Sequence, residues 1–139
     1  MVFLTLENKM ADWNEYKAAS KKRGSLAMEV FVIESTPAGD PELVKQTLAD
    51  HLAYQAEQEQ AGTLMFAGPL SDESGENMNG SGMIVYKAAS LEIAKNITEK
   101  DPMHSRGARV YKIRRWLINE GSLQVNIKLS AQSVSLSED

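Results

Sequence analysis

The chain has no cysteine, which removes disulfides, thiolate nucleophiles and zinc–thiolate sites together. That absence fits a reducing compartment, and a cytoplasmic location is expected. Long apolar runs are missing as well. No stretch approaches the ~18 residues that mark a membrane span. The opening MVFLTLENKMADW lacks the basic segment and small-residue cleavage site of a secretory signal. Positive charge is the scarcer sign: 15 Lys and Arg stand against 19 Asp and Glu, and the net charge of -4 argues against affinity for a phosphate backbone. The clusters Lys21-Lys22-Arg23 and Arg114-Arg115 are too short to reverse that balance, and the first reads as a solvated helix end. Neither nucleic acid nor membrane is an expected partner. Glycines 68, 75, 80 and 82 fit neither dinucleotide nor P-loop spacing, and no serine lies in a nucleophile-elbow pattern. No cofactor is expected.

What is present suits one globular domain with a short extension at either end. Residues 6–22 read as a helix with Met10, Trp13, Tyr16 and Lys17 near one stripe, suited to docking on a core or a partner subunit, and Gly24 is its stop. Residues 26–35, LAMEVFVIES, read as a buried strand. Asp40 as N-cap and Pro41 at the first helical position then open a helix that Gly62 ends. A second strand, 63–67, is expected to stop at Gly68-Pro69, and the turn-forming stretch SDESGENMNG follows. Its acidic residues Asp72, Glu73 and Glu76 fail the EF-hand pattern and read as a solvated turn or cavity rim. A third strand is expected over 82–88, and a second helix is capped by Ser90 and closed at Asp101-Pro102. In the fourth strand, 108–118, Arg109, Tyr111 and Ile113 share one face while Val110, Lys112 and Arg114 share the other.

The order is β-α-β-β-α-β, an α+β ferredoxin-like arrangement: a four-stranded antiparallel sheet with two helices on one face. Apolar residues point both ways from these strands, so the second face needs cover, and a homodimer formed sheet against sheet is the simplest cover. LQVNIKL (123–129) alternates strictly and reads as an extra strand, and the polar, serine-rich end reads as a disordered tail. The expected divisions are therefore an N-terminal helical extension over 1–25, the α+β domain over 26–118, and a strand plus tail over 119–139.

One residue does not fit its surroundings. Val44, Leu48 and Leu52 define the apolar stripe of the first domain helix, and His51, one of only two histidines, lies at its edge. Gln55 and Glu59 continue the line, so the stripe turns polar halfway, as it would on leaving the core or reaching a polar cavity. Read blandly, His51 is a half-exposed, hydrogen-bonded side chain. Read functionally, it is a proton-transfer group, because imidazole titrates near neutral pH. Asp101 has the bland role of ending a helix before Pro102. In the split βαβ fold, however, the chain after the second helix can approach the first, where an Asp orients an imidazole and supports its protonated form. His104, three residues on, completes only a minimal ligand set at a spacing that is not diagnostic, and no metal is expected.

With those residues in hand, the middle of the chain resembles the YCII-related (YciI-like) family. The matching pieces run in order: His51-Leu52, Gly62, Ala67-Gly68-Pro69-Leu70, Gly80-Ser81-Gly82, Ser90-Leu91-Glu92-Ile93-Ala94, Asp101-Pro102, Gly107 and Ile113-Arg114-Arg115-Trp116. The resemblance covers 26–117, about two-thirds of the chain. It implies a dimeric α+β barrel like those of the muconolactone-isomerase type and an active site built on a His–Asp pair, here His51 and Asp101. A few relatives are linked to dehydrochlorination of chlorinated hydroxyquinols, which needs acid–base chemistry rather than a nucleophile. The leading expectation is a small-molecule lyase or isomerase with His51 as general acid or base, Asp101 as its orienter, and Gly68, Pro69 and Gly80-Ser81 shaping the substrate pocket. The alternatives are a noncatalytic module binding a small ligand or a protein, and a purely assembling dimer.

Overall fold

Helix ends in this chain are set by side chains and by two special residue types. Asp40 Oδ1 accepts hydrogen bonds from the backbone N–H groups of Glu42 (3.1 Å) and Leu43 (3.2 Å), and Pro41 occupies the first turn, so α2 (Pro41–Ala61) starts with its free donors partly satisfied. Gly62 ends it in the left-handed region at φ 80°, where the absence of a Cβ removes the steric cost. Ser90 caps α3 (Leu91–Lys100) in the same way, through Ile93 N–H at 3.2 Å. In chain order the elements of the computed structural model, which describes residues 12–138, are α1 (Trp13–Lys22), β1 (Met28–Pro37), α2, β2 (Leu64–Ser71), β3 (Met78–Tyr86), α3, α4 (Pro102–Ser105), β4 (Arg109–Ile118), β5 (Val125–Lys128) and β6 (Ser133–Leu136). The first part of the expected 6–22 helix lies outside the described residues.

Residues 29–117 form one compact unit, and the described residues before and after it form another. In the first, the four strands make one antiparallel sheet in the order β2-β3-β1-β4, the ferredoxin-like arrangement. The pairing sets Ile33 opposite Ile84 and Phe31 opposite Tyr86. Ile33, Ile84 and Tyr86 are buried together, with Leu64, Tyr111, Ile113 and Ile97 of α3 packed on them. Each such side chain contributes roughly 1.5–3 kcal/mol on leaving water, so this face carries the core. α2 is tied in by Tyr54, whose hydroxyl donates to the Ile97 carbonyl at 2.7 Å.

Four elements stand out against the sequence expectation. β2 does not stop at Gly68-Pro69 but runs on to Ser71. It is an edge strand, so a proline that cannot donate to a ladder is tolerated there, and the pairing shifts between Pro69 and Ser71. With a longer partner, β3 begins at Met78 rather than 82 and ends at Tyr86. The Asp101-Pro102 step closes α3 as expected, yet Pro102 also opens the short helix α4, because a proline fits a first helical turn. In the other unit, β6 occupies part of the stretch expected to be a disordered tail. Val125 to Lys128 pair with Leu136 to Ser133 in a two-stranded hairpin. Among the described residues no helix is long and apolar enough to cross a membrane.

A directional polar network is buried beneath the sheet's helix-bearing side. His104 Nδ1–H donates to the Thr98 carbonyl at 2.9 Å, which leaves Nε2 as an acceptor, and Ser35 Oγ–H donates to it at 2.8 Å. Arg109 Nε–H in turn donates to Ser35 Oγ at 2.9 Å. His104 is buried, and burial pushes its imidazole below the ordinary value of 6.5. Once unfolded it binds a proton more readily, so its contribution to stability is complete above about 6.5 and is lost as pH falls towards the lowered folded value. Urea midpoints measured from pH 8 down to pH 5 are expected to fall more steeply for the native chain than for His104→Asn, by up to about 1.4 kcal/mol per pH unit. Parallel curves for the two proteins would show that His104 is not held neutral.

Two glycines with the same backbone twist separate strain from crowding. At Gly62 (φ 80°) an added Cβ meets nothing within 4 Å, whereas at Gly80 (φ 81°) it would sit 2.9 Å from Cγ of Pro37. Gly62→Ala should cost only the left-handed penalty, roughly 1–2 kcal/mol. Gly80→Ala should cost measurably more in thermal or chemical unfolding; equal losses would mean that Pro37 yields freely.

Candidate active site

Asp101 is fully buried, and a buried carboxylate must be met by donors. Its position comes from its local role: it ends α3 and caps α4, with Oδ1 accepting from Met103 N–H at 2.9 Å. The same carboxylate faces α2, where His51 Nδ1 lies 2.8 Å from both Oδ1 and Oδ2. Nδ1–H therefore donates to Asp101, which fixes the tautomer with the lone pair on Nε2. Nε2 has no hydrogen-bond partner among the described residues. The His51 side chain keeps 16% of its surface exposed against 0% for Asp101, so the pair runs from the interior to an opening.

That opening is a cavity of ≈ 450 Å³, and His51 is part of its wall. Val44, Leu48 and Leu52 of α2 line it too, together with Met78, Met83 and Ile84 of β3. The apolar stripe of α2, expected to pack on the core, thus faces the cavity instead, leaving Leu48 and Leu52 about half exposed; the buried residue of α2 is Thr47. Gly68, Pro69 and Ser81 also lie in the wall, as do Gly80 and Gly82. The sequence-predicted residues His51, Gly68, Pro69 and Ser81 are therefore brought to one cavity, with Asp101 directly behind the histidine.

Two charged groups shape the electrostatics. Arg109, on the wall, is pinned by Nε–H to Ser35 Oγ (2.9 Å) and by Nη2 to the carbonyls of Ser35 (2.7 Å) and Gly80. Burial works against its charge, and the Asp101 carboxylate supports it. Burial and, secondarily, the negative charge of Asp101 push the Tyr54 phenol above its ordinary 10.0, so Tyr54 remains a donor at neutral pH. His104 does not join the pair. Both of its ring nitrogens are engaged, with Thr98 and Ser35, and among the described residues no three His, Cys, Asp or Glu side chains gather as a metal site. The acidic loop after β2 is a local turn, in which Asp72 Oδ1 accepts from Ser74 N–H (3.1 Å) and Oγ–H (2.6 Å).

Sequence reasoning missed Ser35 and Arg109. The one available signal was an arginine on the same strand face as Tyr111 and Ile113, a core face where a cation needs partners.

The family model of the YCII-related domain matches residues 18–117. No curated protein matches the chain. Among solved structures it is similar to 5-chloro-2-hydroxyhydroquinone dehydrochlorinase (TftG) from Burkholderia phenoliruptrix AC1100, determined in complex with 2,5-dihydroxybenzoquinone. The two are 20% identical, the alignment covers 63% of this chain and 92% of that one, and the TM-score is 0.46. Matched over well above half its length, the chain belongs to the YCII-related domain family.

Proposed function

We propose that the cavity is the active site of a small-molecule lyase or isomerase in which His51 moves the proton. The observation that carries this reading is the pairing of His51 Nδ1 with a fully buried carboxylate at 2.8 Å while the same ring lines a cavity. Nε2 takes a proton from the bound substrate. The ring's new positive charge is met by Asp101 at Nδ1, and Nε2 returns the proton at a second atom or to a leaving group. Neither step requires a nucleophile. Gly68, Pro69 and Ser81 shape the substrate-bearing wall, where short or absent side chains keep the volume open.

The chemistry is tested by screening small carbonyl and hydroxylated compounds for solvent deuterium uptake in D₂O. His51→Ala should slow exchange by about 10²–10⁴-fold. His51→Asn, whose amide N–H can still face Asp101, should be equally slow while keeping the native melting temperature. Asp101→Asn, which retains the cap to Met103 but not the charge, should also lose rate. A folded His51→Asn protein exchanging at the native rate would sink the assignment. Binding without any exchange would favour a noncatalytic ligand-binding module.

We further read the working unit as a homodimer joined through the sheet face opposite α2 and α3. Phe66 on β2 and Val110 and Trp116 on β4, the two edge strands, project from that face with 46%, 55% and 44% exposure, large apolar groups that water opposes. Sedimentation at micromolar concentration should give a dimer that Val110→Glu shifts towards monomer. A native chain that stays monomeric at tens of micromolar would refute the arrangement.

A further inference from the structure

Arginine carries five N–H donors and no acceptor. In Arg109 three are spent: Nε–H on Ser35 Oγ, and the two of Nη2 on the carbonyls of Ser35 and Gly80. Every one of those acceptors is neutral. The network behind them sets the direction of the Ser35 hydroxyl: His104 donates through Nδ1 to Thr98 and so receives the Ser35 proton at Nε2, turning a Ser35 lone pair towards Arg109. Among the described residues no carboxylate pairs with Arg109, and Nη1 has no partner. Asp101 is not part of the cavity wall; its oxygens face His51 and Met103 N–H. A positioned cation thus stands at a cavity where Val, Leu, Met and Ile side chains outnumber the polar His51, Gln55 and Ser81, so its charge is less screened than in open water.

From this geometry we infer that Arg109 is the specificity residue of the cavity and that the ligand is a small molecule with an apolar body and one oxyanion, the oxyanion meeting the two Nη1 donors. The inference deepens the acid–base reading above, since it names the class of molecule presented to His51. A volume of ≈ 450 Å³ suits such a ligand, lying in the range of roughly 300–1,000 Å³ typical of small-molecule sites. Val44, Leu48, Leu52 and Met83 cover the apolar body, and fixing the oxyanion at Arg109 sets which atom reaches His51. A carboxylate and an ionised ring hydroxyl offer the same chemistry to Nη1, so the source is decided by experiment.

The test uses the full chain and three probes: benzoate, 4-nitrophenolate at a pH where it is ionised, and neutral benzamide, titrated by calorimetry or NMR at low salt. At least one anion should bind about tenfold or more tightly than benzamide. Which anion does so identifies the source as carboxylate or ionised hydroxyl. Arg109→Gln should abolish that preference while leaving benzamide affinity unchanged, and Arg109→Lys should restore part of it. Should Arg109→Gln fail to fold, the native chain still decides: added salt should weaken anion binding and leave benzamide binding as it was. Equal affinity for anions and benzamide, a preference that survives Arg109→Gln, salt-insensitive anion binding, or failure of both anions to saturate the protein would each overturn the proposal. His51→Asn should keep the anion preference. Its loss of exchange therefore tests the acid–base reading separately, and either reading can fail while the other stands.

Discussion

A carboxylate without access to water must recover its lost hydration from fixed donors, and Asp101 has only a few within reach. One is the Met103 N–H, made available because α4 begins just after Asp101. The other is His51 Nδ1–H, fifty residues earlier on α2. Much of the arrangement follows from meeting that charge. The α3–α4 junction has to be tight enough to bring Met103 N–H back to Oδ1, and Pro102 favours this by pre-setting the first turn of α4. Pro102 has no N–H to offer the Thr98 carbonyl in the last turn of α3, which accepts instead from Asp101 N–H at 3.3 Å and from His104 Nδ1–H. α2 must then lie with its His51 edge against the junction, which rotates Val44, Leu48 and Leu52 off the core and into the cavity.

The cavity exists because several elements decline to fill it. α2 gives up its apolar packing halfway, and the strands opposite contribute Gly68, Gly80 and Gly82. A Cβ at Gly82 would stand 3.6 Å from the Gly68 carbonyl and 3.9 Å from Arg109 Nη2, ordinary contacts that would cost volume rather than stability. Gly80 is different, because both its left-handed backbone and the nearness of Pro37 demand glycine, and its carbonyl is what holds Arg109 in place. The empty space and the positioned cation therefore depend on the same glycine-rich first half of β3.

Much of this was legible one residue at a time. Asp40, Pro41, Gly62 and Ser90 announce their helix ends through local chemistry, so the order of elements could be read directly. His51 stood out because it broke a periodic stripe, and Asp101 because it preceded a proline. The unread features depend on partners remote in sequence. β2 continues through Pro69 only because it is an edge strand, which local sequence does not reveal. β6 is a polar run that becomes a strand by pairing with Val125–Lys128. Ser35, His104 and Arg109 lie 69 and 74 residues apart along the chain, and nothing in their local sequence marks them as one network.

The two histidines show why residue type alone did not settle the chemistry. Each donates through Nδ1, and in each the acceptor decides what Nε2 can do. His51 faces a carboxylate, so a proton arriving at Nε2 creates a positive ring beside a negative partner, and Nε2 itself has only the cavity to serve. His104 faces a neutral carbonyl, its Nε2 is occupied by Ser35, and burial holds it unprotonated. A proton placed there would reverse the Ser35 bond, turning the hydroxyl proton away from Nε2, and set a second cation near Arg109. The lowered affinity of His104 for a proton thus preserves the orientation of Ser35 and, through it, the orientation of Arg109. In the proposed mechanism one imidazole changes its charge, while the other, held neutral by burial, keeps the surrounding donors aligned.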